Sequence, residues 1–284
     1  MELKAIDVHV HPQTEVMHAH SGPKGEQMAR YFKRERKTVS FAEMADMYRA
    51  HGMMAVLQNT TDEYATGQPG APNDHLAAAQ RDFPDVFIAF GVVDPWFGQK
   101  AVDEVKRCHE ELGLIGIGEI NPGRQQFHPN DTRFYPVWEE CAKRKMIVLF
   151  HTGMMAAGAG TPGGMGFKLQ YTRPIPALDD LAADFPEMTI IGAHPAWPWQ
   201  SEALAICRHK PNYYIDLSGW SPKYFSPELI QQTNTLLQDR VLFGTDWPML
   251  EIDRYMAEFD SLPLRPEVRQ KVMLDNARKL FKLA

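Results

Sequence analysis

Two histidines one residue apart, His9-Val10-His11 in the stretch IDVHVHP, close a short apolar run near the amino terminus. Imidazoles at that spacing on an extended chain face one side, where two nitrogen donors can share a divalent metal ion. The pattern alone is weak, because the chain has 11 histidines and a second copy, His18-Ala19-His20, in a polar stretch before Ser-Gly-Pro-Lys. Position separates the two copies. Three more groups with metal-binding chemistry close other apolar runs: His151 in LFHTG, His194 in IIGAHP and Asp246 in LFGTDWP. Taken singly, each reads more simply as a hydrogen-bonded strand-end residue, and Asp246 ahead of Trp-Pro as a turn cap. Five such groups at one rim would need mutual pairing or a cation, since buried charge is costly unless paired or coordinated. Imidazole nitrogens with one carboxylate suit Zn²⁺ best, with Mn²⁺, Fe²⁺ or Co²⁺ as alternatives. Such a site would activate a water molecule and polarise a carbonyl.

The elements that must carry these residues are eight apolar runs: LKAIDVHV, MMAVLQN, VFIAFGVV, LIGIGEI, MIVLFHT, MTIIGAH, NYYIDLS and RVLFGTD. Near-continuous apolarity marks strands buried on both faces, as in a parallel sheet, whereas alternation would mark one wet face. Amphipathic helical segments lie between them. Ser40-Phe-Ala-Glu43 is a capping box that predicts a helix through His51, closed by Gly52. RDFPDVFIAFGVVDP and ADFPEMTIIGAHPAW repeat one helix-end, Phe-Pro, strand rhythm. Eight strand–helix units predict an α/β fold of the (β/α)₈ TIM-barrel type over residues 1–284 as one domain. In that fold the carboxyl ends of the strands converge on the active-site face. A doubly wound open sheet is the alternative, but its glycine fingerprint belongs in the first strand-to-helix turn, where this chain has His-Pro. The G-x-G-x-x-G match at Gly158–Gly163 lies beyond a strand, contains a proline and opens no helix, so it reads as a loop or lid over a pocket.

The bulk composition restricts partners. Net charge is −6, and the densest basic group, Lys33, Arg34, Arg36 and Lys37, reads as a solvated face, so no nucleic-acid footprint is expected. No apolar run reaches membrane-spanning length, and the opening MELKAIDVHVHP lacks the long apolar core of a signal peptide, so none is expected. Three unpatterned cysteines suit a reducing compartment, and a cytoplasmic location is expected. A small-molecule substrate is expected, and a homodimer on general grounds of size.

The set D-x-H-x-H, H-T-G, H-P, D-L-S-G and G-T-D-W-P resembles the amidohydrolase superfamily, in its amidohydrolase-related branch. That branch includes aminocarboxymuconate semialdehyde, resorcylate and carboxyvanillate decarboxylases and pyrone-dicarboxylate lactonase. The resemblance covers essentially the whole chain. It implies one divalent ion held by His9, His11, His151 and Asp246, with Asp246 and His194 as catalytic acid/base residues. In two-metal relatives His194 and a strand-four carboxylate, here Glu119, serve a second ion. Pairing of Glu119 with a nearby arginine such as Arg124 is the simpler expectation, and with it a single metal. Two departures stand out: Glu119-Ile-Asn121-Pro122 where many relatives have Lys-x-His-Pro, and Pro195-Ala196-Trp197 after His194 where they often have x-Gly-Gly.

Trp96, Trp197, Trp199, Trp220 and Trp247 follow strands, and aromatic walls with Arg124 or Arg173 would suit a flat carboxylated ligand. Trp197, Trp220 and Trp247 are the candidate wall residues. The leading expectation is metal-dependent hydrolysis of a carboxylated lactone, amide or ester. The alternative is non-oxidative decarboxylation of an aromatic or muconate-type acid. The intact H-x-H leans toward hydrolysis, because some of the resembling decarboxylases replace its first histidine. A barrel that holds metal without turnover is the third possibility.

Overall fold

The computed structural model describes residues 2–283, so Met1 and Ala284 of the single-domain expectation lie outside the described residues. Eight strands run β1 (Ala5–Val10), β2 (Met53–Leu57), β3 (Phe87–Gly91), β4 (Gly116–Ile120), β5 (Ile147–His151), β6 (Thr189–Ala193), β7 (Tyr213–Asp216) and β8 (Val241–Leu242). Each pairs in parallel with the next, in the order of the sequence. The ring closes between its ends: Val8 N–H donates to Phe243 O at 3.0 Å, Asp246 N–H to His9 O at 2.9 Å and His11 N–H to Trp247 O at 2.8 Å. The fold is thus a (β/α)₈ barrel, and closure removes the edges that an open sheet would leave unpaired.

The apolar runs supply two buried layers. Ile6, Val8, Val56, Ile88, Leu149 and Leu242 fill the barrel, while Ala5, Ala55, Leu57, Val148 and Ile215 face outward against the helices. Burying each larger aliphatic side chain contributes about 1.5–3 kcal/mol, which explains why both faces of the strands are mostly apolar below the rim, with the buried Asp7 of β1 as an exception. The capping box forms as the sequence predicts, at the start of Phe41–His51, and Gly52 ends that helix at φ 67°. Among the described residues no helix is long and apolar enough to cross a membrane.

Two strands break their alternation near the rim. The pairing of β1 with β2 shifts between Asp7 and Val10, and that of β4 with β5 between Ile117 and Ile120. Val8 and His9 consequently both point inward, as do Gly118 and Glu119. Irregularities of this kind re-aim side chains beside active sites. The segment between β1 and the capped helix folds over the barrel mouth as the helices Glu15–His20 and Gly22–Tyr31. Gln27 ties the second of them to the loop after β5, its Nε2 donating to Ala159 O at 2.7 Å and its Oε1 accepting from Gly158 N–H at 3.0 Å. The glycine-rich stretch is thereby held against that helix.

Candidate metal centre

His9, His11, Glu119, His151, His194 and Asp246 meet at the carboxyl ends of β1, β4, β5, β6 and β8. The Nε2 atoms of His9 and His11 lie 3.1 Å apart, and Asp246 Oδ1 is 3.9 Å from the first and 3.4 Å from the second. Glu119 Oε2 stands 3.5 Å from His11 Nε2, while its Oε1 lies 2.6 Å from His151 Nδ1 and 3.7 Å from His194 Nε2. His151 Nδ1 and His194 Nε2 are 3.1 Å apart. The donors thus form two sets, His9/His11/Asp246 and His151/His194, with one oxygen of Glu119 turned to each.

The surroundings aim these groups. Asp216, at the end of β7, accepts from His9 Nδ1 at 3.1 Å, which leaves Nε2 for the cluster. Asp7 accepts from Tyr48 Oη at 3.1 Å and from the Thr245 N–H at 2.9 Å, fastening β1 to the turn that carries Asp246. His194 Nδ1 sits 3.0 Å from Ser218 O and 2.9 Å from Ser218 Oγ. A Cβ on Gly219, at φ 73°, would fall 2.5 Å from that same nitrogen, so only glycine permits the approach. His194 and Asp246 themselves hold φ of 69° and 62°, conformations costing about 1 kcal/mol or more in non-glycine residues and found where the surroundings impose them.

The electrostatics are strongly coupled. Burial opposes charge on His9, yet Asp216, with Asp246 and Glu119 farther off, draws the imidazole up to about 10. Burial would likewise raise Asp216, but charged His9 beside it holds the carboxyl at about 2. Burial and the charge on His9 push His11 down to about 3, leaving it neutral. Burial lifts the Asp246 carboxyl to about 7 against the pull of charged His9 and His194. Glu119 stays well below the usual carboxylate range because His151 offsets the cost of its burial. Within the cluster, His151 Nε2 is buried and makes no hydrogen bond among the described residues. Four imidazoles whose nitrogens face one another, two carboxylates and an orphaned buried nitrogen fit a divalent cation better than a self-paired polar core.

The His9–Asp216 pair gives a pH signature to the metal-free protein. Its imidazole is raised from an ordinary 6.5 to about 10, so that contribution is complete below about 6.5 and is lost as pH rises through 10. Its carboxylate is lowered from 3.8 to about 2, so that contribution is complete above about 4 and is lost as pH falls through 2. Asp216→Asn is expected to lower metal-free stability by about 3 kcal/mol at pH 7 and to flatten the alkaline limb. Urea unfolding from pH 6 to 10 checks this, and an unchanged midpoint at pH 7 would show that the pair is not coupled.

Above the cluster opens a cavity of about 490 Å³. Glu119, Asp246, His11, His151 and His194 reach its floor, and Trp220, Tyr31, Phe32, Met28, Met154 and Met155 give it apolar walls. Several expectations change here. Glu119 does not pair with Arg124, whose Nε instead donates to Asp62 Oδ2 at 3.2 Å. Arg173 is half exposed, bound to Glu202 at 2.6 Å and absent from the cavity wall. Trp247 is buried in the outer core, between barrel and helices. Trp197 is 55% exposed and packs on Trp220 from outside, leaving Trp220 and Arg124 as the wall residues among those named from sequence. Trp96 stacks on Tyr64 and donates to Gln125 O, a packing role. Conversely His18 and His20, set aside as loop residues, lie on a short helix and line the cavity, as do Arg34 and Arg36 of the basic group read as solvated. Asp216, Lys24 and Asp62 were missed altogether. For Asp216 the D-L-S-G stretch was the available signal, and for Lys24 and Asp62 there was none.

Comparison with known proteins agrees with the fold. The amidohydrolase family model matches residues 6–283. A gamma-resorcylate decarboxylase of Rhizobium sp. (strain MTP-10005) is 24% identical over 247 residues, covering 74% of this chain and 75% of the relative. Among solved structures, an uncharacterized TIM-barrel protein from Bordetella bronchiseptica superposes with a TM-score of 0.79 at 25% identity, covering 99% of both chains. A dihydroxybenzoic acid decarboxylase from Polaromonas sp. JS666, solved with manganese and the inhibitor 2-nitroresorcinol, superposes with a TM-score of 0.67 at 20% identity over 99% of this chain and 97% of its own.

Proposed function

The chain belongs to the amidohydrolase family, and on that premise we propose that it is a metal-dependent carboxy-lyase that removes CO₂ from an aromatic or muconate-type acid. The observation that carries this reading is that Asp246 is both a member of the donor cluster and part of the floor of a cavity walled by Lys24, Arg34, Arg36 and Arg124. Cations focused in a low-dielectric cleft draw in an anionic substrate. The decarboxylase relatives, aligned over three-quarters of this chain, favour loss of CO₂ over the hydrolysis that the intact H-x-H suggested. The manganese in the Polaromonas structure likewise favours Mn²⁺ over the Zn²⁺ expected from donor types.

A divalent cation in the cluster would neutralise the substrate carboxylate and an adjacent oxygen and hold both in place. His9, His11, Glu119, His151 and Asp246 are the residues that would hold it. Asp246 delivers a proton from Oδ to the carbon bearing the carboxylate. The bond to that carboxylate then breaks, its electron pair stays on the ring, and CO₂ leaves. Asp246 regains its proton from water at the open mouth. His194, fixed through Nδ1 by Ser218, turns Nε2 toward the cluster and orients the carboxylate that leaves. Met28, Phe32, Met154 and Met155 keep the ring face dry, and Trp220 offers it a surface to stack on.

One observation favours a hydrolytic second reading: Glu119 turns one oxygen to each donor set, an arrangement suited to two ions and a water between them. The two readings separate in one assay. Manganese-loaded protein is incubated with hydroxybenzoates and aromatic lactones in ¹⁸O-water. Bicarbonate release with no label in the organic product is the expected result, and label in the organic product without bicarbonate would overturn it.

A further inference from the structure

One side of the cavity wall is an ion triad assembled from three separate segments. Lys24, on the helix Gly22–Tyr31, directs Nζ to both oxygens of Asp62, which follows β2, the Oδ2 contact being 2.5 Å. Arg124, which follows β4, adds its Nε to the same carboxylate at 3.2 Å. The side chains of Lys24, Asp62 and Arg124 are only 8%, 2% and 12% exposed, and all three line the cavity. Two buried cations on one buried carboxylate leave a charge of +1. Burial of unmatched charge is costly, and an anion would complete the neutralisation. Arg124 also has its fork to offer: among the described residues only its Nε is engaged by a side chain, which leaves the Nη groups for a planar bidentate partner. The triad and the donor cluster line one cavity.

We propose that the substrate is a dicarboxylic acid whose second carboxylate, remote from the one that leaves, is bound by Arg124 and Lys24 with Asp62 holding both in position. The proposal rests on the carboxy-lyase reading for the fate of the first carboxylate. Asp62 is a positioning residue, since its oxygens are already occupied by the two cations. A monocarboxylate would leave the Nη groups of Arg124 without an anionic partner.

The test compares diacids with amides of the same shape. Isophthalate is paired with 3-carbamoylbenzoate and terephthalate with 4-carbamoylbenzoate, and dissociation constants for the manganese-loaded protein are measured by calorimetry. At least one diacid is expected to bind tenfold or more tightly than its amide. That preference is expected to fall below threefold in Arg124→Gln and Lys24→Gln at unchanged manganese content. A wild-type ratio near one, no measurable binding of either diacid, or an undiminished ratio in Arg124→Gln overturns the proposal. Should Lys24→Gln fail to fold, the wild-type ratio and Arg124→Gln still decide. The metal-stripped protein keeps the two readings apart. If it binds the amides as tightly as the loaded protein does, the cation–carboxylate contact of the carboxy-lyase reading fails, whereas the diacid ratio is read independently.

Discussion

Asp246→Asn is expected to lower kcat by about 10³-fold on whichever acid the bicarbonate assay selects, with the fold intact. The substitution keeps the shape of the side chain but removes both its charge and the proton it would deliver. Backbone effects are excluded by design. Asp246 sits at φ 62°, a region that asparagine tolerates as well as aspartate does, and its N–H bond to His9 O and its carbonyl bond from Met249 N–H involve no side-chain atom. Alanine would confuse the result by straining that turn. The loss should fall on kcat rather than on KM, because the cavity's cations, not Asp246, draw the substrate in. Circular dichroism and manganese content complete the measurement. A variant that keeps its metal and turns over within tenfold of the parent would remove Asp246 from the chemistry.

The part of this site that the sequence revealed is the part carried by strand ends. His9, His11, His151, His194 and Asp246 each terminate an apolar run, and a barrel gathers such ends at one rim, so local pattern and global fold gave the same answer. Glu119 also ends a run, but its direction depends on the shift in β4 pairing between Ile117 and Ile120, which no alternation pattern predicts. Regular alternation would have made an outward-facing partner for Arg124 plausible. The cavity wall was hidden for a different reason. His18, Lys24, Arg34 and Arg36 lie in a polar segment whose helices are short and bury few apolar residues, so nothing local ties them to the barrel mouth. Ion pairs such as Lys24–Asp62, 38 residues apart, have no sequence signature at all. The tryptophans depart in the opposite sense: they do follow strands, but Trp197 is turned outward and Trp247 is buried in the core.

Glu119→Gln is expected to weaken manganese binding by about 100-fold at the one site that the carboxy-lyase reading assigns. Glu119 is the one carboxylate that faces both donor sets, 3.5 Å from His11 on one side and 2.6 Å from His151 on the other. Its negative charge is what lets four imidazoles gather without mutual repulsion once one of them is charged, and His9 carries such a charge in the metal-free state. Glutamine preserves the volume, and its amide oxygen can still accept from His151 Nδ1–H, so the variant should fold. What it cannot supply is a second anionic oxygen toward His11. The one ion that His9, His11, His151 and Asp246 would share then loses an anionic donor and binds more weakly. If Glu119 serves only to orient His151, the variant instead shows a modest loss of affinity, and a parent that holds two ions where the variant keeps one would favour the hydrolytic reading. Equilibrium dialysis with manganese, followed by elemental analysis of parent and variant, distinguishes these outcomes before any substrate is known.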